Sequence, residues 1–287
     1  MANLLGSAPV SWGTGVCGSG CTPTPLDPFA SENEYPACGE DLLTIIGNED
    51  VSTLMQPILD VRAMSIIGYE ALSRGPAGSV FQNAETLFQS ARAFGLSQAL
   101  DRVCLKKALR AAADIPGDRL LFLNIEPEGL ADPGVQDDLV TLSSSALLQP
   151  NRVVLELTER GMIVDFDEFR ADLANLRELG FRVAIDDAGA GHSCLQSLVE
   201  VRPDWVTLDM SLIRGVDTNE VKRDLVASLI GFGERTGMKL ITEGIETMSQ
   251  LTTLQSLGAR YGQGFLLSRP RPPFPDDREC LVGQSVC

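Results

Sequence analysis

Between residue 39 and about residue 275, short apolar runs alternate with longer stretches that place an apolar residue every third or fourth position. Met55-Gln56-Pro57-Ile58-Leu59 and Ile66-Ile67-Gly68-Tyr69-Glu70-Ala71-Leu72 read as two strands joined by a short polar turn. From Asn83 onward the pattern predicts strands over Leu120 to Asn124, Val153 to Leu157, Arg182 to Asp186, Trp205 to Asp209, Lys239 to Glu243 and Gly264 to Leu267. Helical patterns separate them. The clearest runs from Asp167 to Leu179, where Phe169, Leu173, Leu176 and Leu179 recur at helical steps and Gly180 follows as a stop. Strands separated by helices indicate βα units and a parallel sheet. The number of units and the length fit an α/β fold of the (β/α)8 barrel type better than a doubly wound sheet. No glycine-rich phosphate loop follows the first strand, which weighs further against the doubly wound alternative.

The ends of the chain read differently. Residues 1–38 are rich in Gly, Pro, Ser and Thr without an apolar period, and are expected to form a flexible leader ahead of a barrel domain over 39–275 and a C-terminal tail over 276–287. The leader carries Cys17, Cys21 and Cys38, a spacing that lacks a fourth metal ligand and a nearby histidine. Seven cysteines in 287 residues, an odd number thinly spread, argue against a disulfide framework.

Charge narrows the choice of partners. With 39 Asp+Glu against 23 Lys+Arg, the formal charge is −16. No basic run supplies the stripe a duplex-binding protein needs. The N-terminal segment lacks a positive n-region, and no window approaches the apolar length of a membrane span. A cytoplasmic chain is expected, with no membrane insertion and no duplex nucleic acid as partner.

The candidate chemistry lies where the predicted strands end. Glu70, Asn124, Glu156, Asp186, Asp209 and Glu243 stand at or near those ends, the side of a barrel that carries its active site. Any one Asp or Asn there is an ordinary helix cap. Glutamate is a weak cap, however, and Glu70, Glu156 and Glu243 have apolar neighbours. Carboxylates converging in a barrel mouth repel one another unless cations sit among them. Oxygen donors suit Mg²⁺ or Mn²⁺, or Ca²⁺, and His192 is the single histidine available for a softer metal. In the stretch IDDAGAG, Asp186 and Asp187 are adjacent, so in a regular strand they would point to opposite faces. Either the strand ends there or something positive lies between them. A pair of this kind can serve two ions about 3.5–4 Å apart, the arrangement used to hydrolyse phosphodiesters.

Several of these motifs together resemble the EAL domain, a bacterial family that hydrolyses cyclic di-GMP to linear pGpG. They are Tyr69-Glu70-Ala71-Leu72-Ser73-Arg74, Leu123-Asn124-Ile125-Glu126-Pro127, Glu156-Leu157-Thr158-Glu159, Asp186-Asp187, Thr242-Glu243-Gly244-Ile245-Glu246-Thr247 and Tyr261-Gly262-Gln263-Gly264-Phe265. The resemblance implies a modified TIM barrel with one antiparallel strand. It also implies that Glu70, Asn124, Glu156 and Asp186 hold a first metal, and that Asp186, Asp187 and Glu243 hold a second. Arg74 and Leu72 would contact the ligand, Gln263 would bond near the water and the metals, and Glu159 would brace the loop after Asp187. The family's catalytic residues map to Glu243, Gln263 and Asp209, with one departure. A lysine that positions or deprotonates the attacking water stands two residues before Asp209 in the family, and here that position is Thr207.

A neutral hydroxyl cannot stabilise hydroxide by charge, and a loss of this kind typically costs about 10²–10⁴ in rate. The loop Asp187-Ala188-Gly189-Ala190-Gly191-His192-Ser193 also departs from the family pattern, which weakens the usual coupling to a homodimer partner. His192 reads as a ring filling a tyrosine's place, since two-metal hydrolysis needs no histidine. Two expectations follow: a phosphodiesterase of reduced activity, or a cyclic di-GMP receptor that signals through a protein partner. A barrel serving only as a protein contact would have no use for Glu70, Arg74 and Gln263.

Overall fold

The structure is a computed structural model, and it describes residues 36–130, 132–145, 148–158, 166–189, 194–272, 274–276 and 280. Eight strands close a barrel in chain order. They are β1 (Ser52–Asp60), β2 (Ser65–Arg74), β3 (Leu120–Ile125), β4 (Val153–Thr158), β5 (Arg182–Ala188), β6 (Trp205–Leu208), β7 (Lys239–Thr242) and β8 (Tyr261–Gly262). β1 runs antiparallel to both β2 and β8, and every other neighbouring pair is parallel. This is the α/β barrel with one antiparallel strand that the sequence pattern and the family resemblance imply.

Helices cover the outside: α1 (Pro36–Gly47), α2 (Ala84–Ala93), α3 (Ser97–Ala111), α4 (Pro127–Leu130) and α5 (Pro133–Ser145). After β4 come α6 (Phe166–Glu178), α7 (Cys194–Val201), α8 (Met210–Ile213), α9 (Glu220–Thr236) and α10 (Met248–Ser256). The helix expected over Asp167 to Leu179 is α6, with Leu173 and Leu176 buried and Gly180 in the left-handed region just beyond it.

Strand alternation divides the core in two. One face of each strand packs outward: Leu121, Leu123, Leu155, Val183, Ile185 and Val206 meet helix residues such as Leu105, Leu109, Leu139, Leu173 and Val226. The other face fills the barrel with Ile58, Phe122, Val154, Ala184, Trp205 and Ile241. Trp205 meets Phe122 and Tyr261 edge-on, at centroid distances of 5.4 and 5.0 Å. The barrel therefore has a solid apolar floor rather than a pore.

Two strand expectations are corrected. Residues Gly264 to Leu267 do not form a strand; the last strand is β8, at Tyr261–Gly262. The chain turns there because Gly264 packs so closely on Ile245 that an added Cβ would lie 2.2 Å from a carbonyl oxygen. The amides of Leu267 and Ser268 then close a turn onto the Gly264 carbonyl. Asp209 and Glu243 lie one residue beyond the ends of β6 and β7, and Asn124 is followed by one more strand residue, Ile125.

Cys17 and Cys21 lie outside the described residues, whereas Cys38 falls within α1. At the other end, Phe274 packs on Tyr69, whose hydroxyl donates to Pro275 O at 2.9 Å, and Cys280 is buried in the main core. Among the described residues, no helix is long and apolar enough to cross a membrane. Because Phe122 is fully buried at the centre of the floor, Phe122→Ala is expected to cost about 3–5 kcal/mol. Chemical denaturation followed by circular dichroism measures that loss.

Candidate metal centre

The floor of the barrel dictates what lies above it. A residue two positions further along a strand points to the same face one layer higher. Two residues after Gly68, Phe122, Val154, Ala184, Trp205, Ile241 and Tyr261 stand Glu70, Asn124, Glu156, Asp186, Thr207, Glu243 and Gln263. β1 runs the other way, and two residues before Ile58 stands Gln56, which pairs with Glu70 across the β1–β2 ladder. A ring of carboxylates and amides thus rests directly on apolar side chains. Glu156, Thr207, Gln56 and Gln263 are buried, Glu70, Asp186 and Glu243 are partly exposed, and Asn124 faces the opening.

Asp186 and Asp187 share this mouth for a reason absent from both alternatives read from the sequence. β5 continues to Ala188, but its register against β6 breaks between Ile185 and Ala188, and Asp187 takes a left-handed φ of 55°. Such a bulge places two residues where a regular strand has one and re-aims their side chains. As a result Asp186, Asp187 and Glu243 each offer an oxygen, and these oxygens lie within 4.8 Å of one another.

Hydrogen bonds hold the ring in place. Asn124 donates to Glu70 Oε1 at 3.1 Å, and Gln263 donates to Glu70 Oε2. Thr207 donates its hydroxyl to Asp186 Oδ1 at 2.5 Å and accepts the Asp187 amide at 3.0 Å. The single O–H of Thr207 is thus committed to a carboxylate. Asp209 accepts the Ser211 amide at 2.9 Å as the N-cap of α8. Arg74 ends β2 and lends one donor to Ser73 O, while Leu72 lies partly buried beside it on the same strand face. Glu159 and His192 lie outside the described residues. Gln56 was missed: its amide donates to Ser268 O at 3.3 Å and ties β1 to the turn after β8. The sequence shows only a polar residue inside the run Met55 to Leu59, which places Gln56 in this layer once β1 is known to run antiparallel.

Comparison with known proteins decides the family. Residues 40–270 match the family described as EAL domain. The chain belongs to the EAL domain family. A probable cyclic di-GMP phosphodiesterase of Escherichia coli, PdeN, is 28% identical over 82% of this chain and 46% of its own length. A Mycobacterium tuberculosis protein of unassigned function is 31% identical over 75% of this chain and 36% of its own. The chain thus spans less than half the length of these curated relatives. Among solved structures, the manganese and cyclic di-GMP complex of Klebsiella pneumoniae BlrP1 superposes with a TM-score of 0.71 at 34% identity. That match covers 77% of this chain and 56% of the other. The cyclic di-GMP complex of the PaMucR phosphodiesterase gives 0.74 at 25% identity, over 82% and 98%.

The electrostatics of this EAL domain follow from its layering. Burial pushes Glu156 well above the ordinary carboxylate value, and the charges of Glu70, Asp186 and Glu243 push it further. Burial raises Glu243 in the same way, helped by Asp186 and Glu70. Asp186 is raised to about 6 by burial and by Glu70, against the opposing bonds from Thr207 and the Asp187 amide. Glu70 is raised by burial too, although its two amide partners pull it down. One oxygen, Glu156 Oε2, is buried without a hydrogen-bond partner. Leaving such a group unsatisfied is costly. Hard oxygen donors, mutual repulsion and an orphaned buried carboxylate oxygen together fit a divalent cation of the Mg²⁺ or Mn²⁺ type.

In metal-free protein these raised values have a definite sign. Each group binds its proton more tightly folded than unfolded, so its contribution is full below the ordinary value of 3.8 for Asp or 4.5 for Glu. It is lost as pH rises through the folded value, about 6 for Asp186. Metal-stripped protein is therefore expected to melt at a lower temperature at pH 8 than at pH 5.5, and Mn²⁺ to restore stability at pH 8. Glu156→Gln should raise the metal-free melting temperature at pH 8 by about 2–4 °C. Scanning calorimetry of both chains with and without Mn²⁺ tests this, and the variant should gain less from the ion.

Proposed function

We propose that this EAL domain is a divalent-metal-dependent phosphodiesterase that opens cyclic di-GMP to linear pGpG, at a rate lowered by Thr207. The observation that carries the reading is the ring of carboxylates on the barrel floor, with Glu156 Oε2 buried and unpartnered among them. The family membership and the cyclic di-GMP complexes of similar structures support it. In this reading Glu70, Asn124, Glu156 and Asp186 hold one Mg²⁺ or Mn²⁺, and Asp186, Asp187 and Glu243 hold a second. When bound, the ions supply charge for the attacking and leaving oxygens of an in-line displacement.

The chain's own residues do the rest. The amides of Asn124 and Gln263 fix both oxygens of Glu70, so that carboxylate is oriented before any ligand arrives. Arg74, two layers above Glu70 at the end of β2, presents a planar fork suited to a phosphate, with Leu72 between them on the same face. Water adds to one phosphorus, the bond from that phosphorus to its 3′ oxygen breaks, and the released 3′ oxygen takes a proton. Thr207 lacks the charge to assist the water's deprotonation, and its donor is already spent on Asp186. On this reading the chain works in the cytoplasm, where its nucleotide is.

The same hydroxyl favours a second reading. With Thr207 in place of the family's lysine and its O–H committed to Asp186, the site keeps its carboxylates and Arg74 and lacks the group that activates water, which is the design of a cyclic di-GMP receptor acting on a protein partner. A single-turnover assay separates the two, with protein in excess over cyclic di-GMP, saturating Mn²⁺ and chromatographic separation of products. The natural chain is expected to form pGpG slowly. Thr207→Lys should accelerate it by up to about 10²–10⁴, and Glu70→Ala should abolish it. Cleavage by the lysine variant alone selects the receptor, and no pGpG from either chain removes the phosphodiesterase.

A further inference from the structure

Thr207 occupies a particular place in the ring. Its side chain is 1% exposed and its oxygen bonds on two sides, to a carboxylate as donor and to a backbone amide as acceptor. Those two partners are consecutive residues. The Asp187 amide also reaches Asp186 Oδ1 at 2.9 Å, so Thr207 Oγ1, Asp186 Oδ1 and the Asp187 N–H form a closed triangle.

This triangle sits on the least ordinary piece of backbone in the site. A non-glycine residue with a left-handed φ is uncommon and persists only where its surroundings hold it. At Asp187 that conformation is what brings its carboxylate beside those of Asp186 and Glu243. A lysine at 207 has donors and no acceptor, so it could bond Asp186 but could not receive the Asp187 amide. Threonine does both.

We propose that Thr207 is a positioning residue for metal binding: its hydroxyl clamps the β5 bulge so that Asp186, Asp187 and Glu243 are held ready for one divalent cation. Thr207 itself does not touch the ion. The neutral residue that slows chemistry thereby takes a part in holding the cage. This inference rests on the metal-holding part of the function proposed above.

The test titrates MnCl₂ alone into the metal-stripped full chain by calorimetry, comparing the natural protein with Thr207→Val, Thr207→Ala and Thr207→Ser. Removing the hydroxyl is expected to weaken Mn²⁺ binding by about 10–100-fold, as loss of an outer-shell partner does. Thr207→Ser, which keeps donor and acceptor, should restore it. A Val or Ala variant that binds Mn²⁺ as tightly as the natural chain overturns the clamp, even if its metal-free melting temperature falls, because stability alone would then be the role. A Ser variant that loses the affinity also overturns it, and this measurement decides the matter if the hydroxyl-free variants do not fold. If the natural chain itself binds no Mn²⁺, the metal reading fails and the clamp with it; equal binding by all four chains sinks the clamp alone.

Discussion

Carboxylates pressed together on an apolar floor set the terms for the rest of this barrel. Glu156 is 2% exposed, rests above Val154, and faces Glu70, Asp186 and Glu243 at the same level. Removing a carboxylate from water disfavours its charge, and each neighbour of the same sign disfavours it again. An isolated protein can relieve this by taking up protons or by taking up cations. The raised values across the ring reflect the first route, and the unpartnered oxygen of Glu156 points to the second. A fold that maintains this tension in its interior needs a rigid frame. The closed sheet, with its floor of Phe122, Trp205 and Ile241, provides one.

Within that frame the supporting polar groups act by restricting geometry. Glu70 is bracketed by two amides, from β3 and from the residue after β8, so strands on either side of β2 agree on where its oxygens lie. Asp186 is held by Thr207 from the neighbouring strand, and Gln56 ties the antiparallel β1 to the turn beyond β8. These are modest bonds singly, yet where they are part-buried each also prevents an unsatisfied polar atom. The bulge in β5 is the one place where regular strand geometry gives way, and two of the ring's carboxylates meet there as a consequence. Fold irregularity and chemistry coincide at that point, as is common where backbone strain is retained.

Much of this was legible from residue order. Alternation of period two, glycine stops and apolar runs mark seven of the barrel strands and the helix α6 closely, because burial on two faces leaves a pattern that no polar loop imitates. The missing piece was β8. Its two residues, Tyr261 and Gly262, are too few to show a period, and the apolar stretch Gly264 to Leu267 that resembled a strand forms a turn against Ile245, with Leu266 and Leu267 buried and Phe265 exposed. Gln56 escaped notice for a related reason. It sits in an apolar run on the antiparallel strand, and a single polar residue there has no meaning until the strand's direction is known.

Sequence alone determined the fold class, the family motifs and the identity of the acidic residues, since each is a matter of local pattern and residue type. It also exposed Thr207 as a departure and left its consequence open. Tertiary structure decided which side chains share a layer, because that depends on strand register and barrel closure. It decided that Asp186 and Asp187 converge, because one left-handed residue and a register break turn opposite faces into one. And it decided where the hydroxyl of Thr207 is spent, since its partners lie some twenty residues away along the chain and one strand away in space.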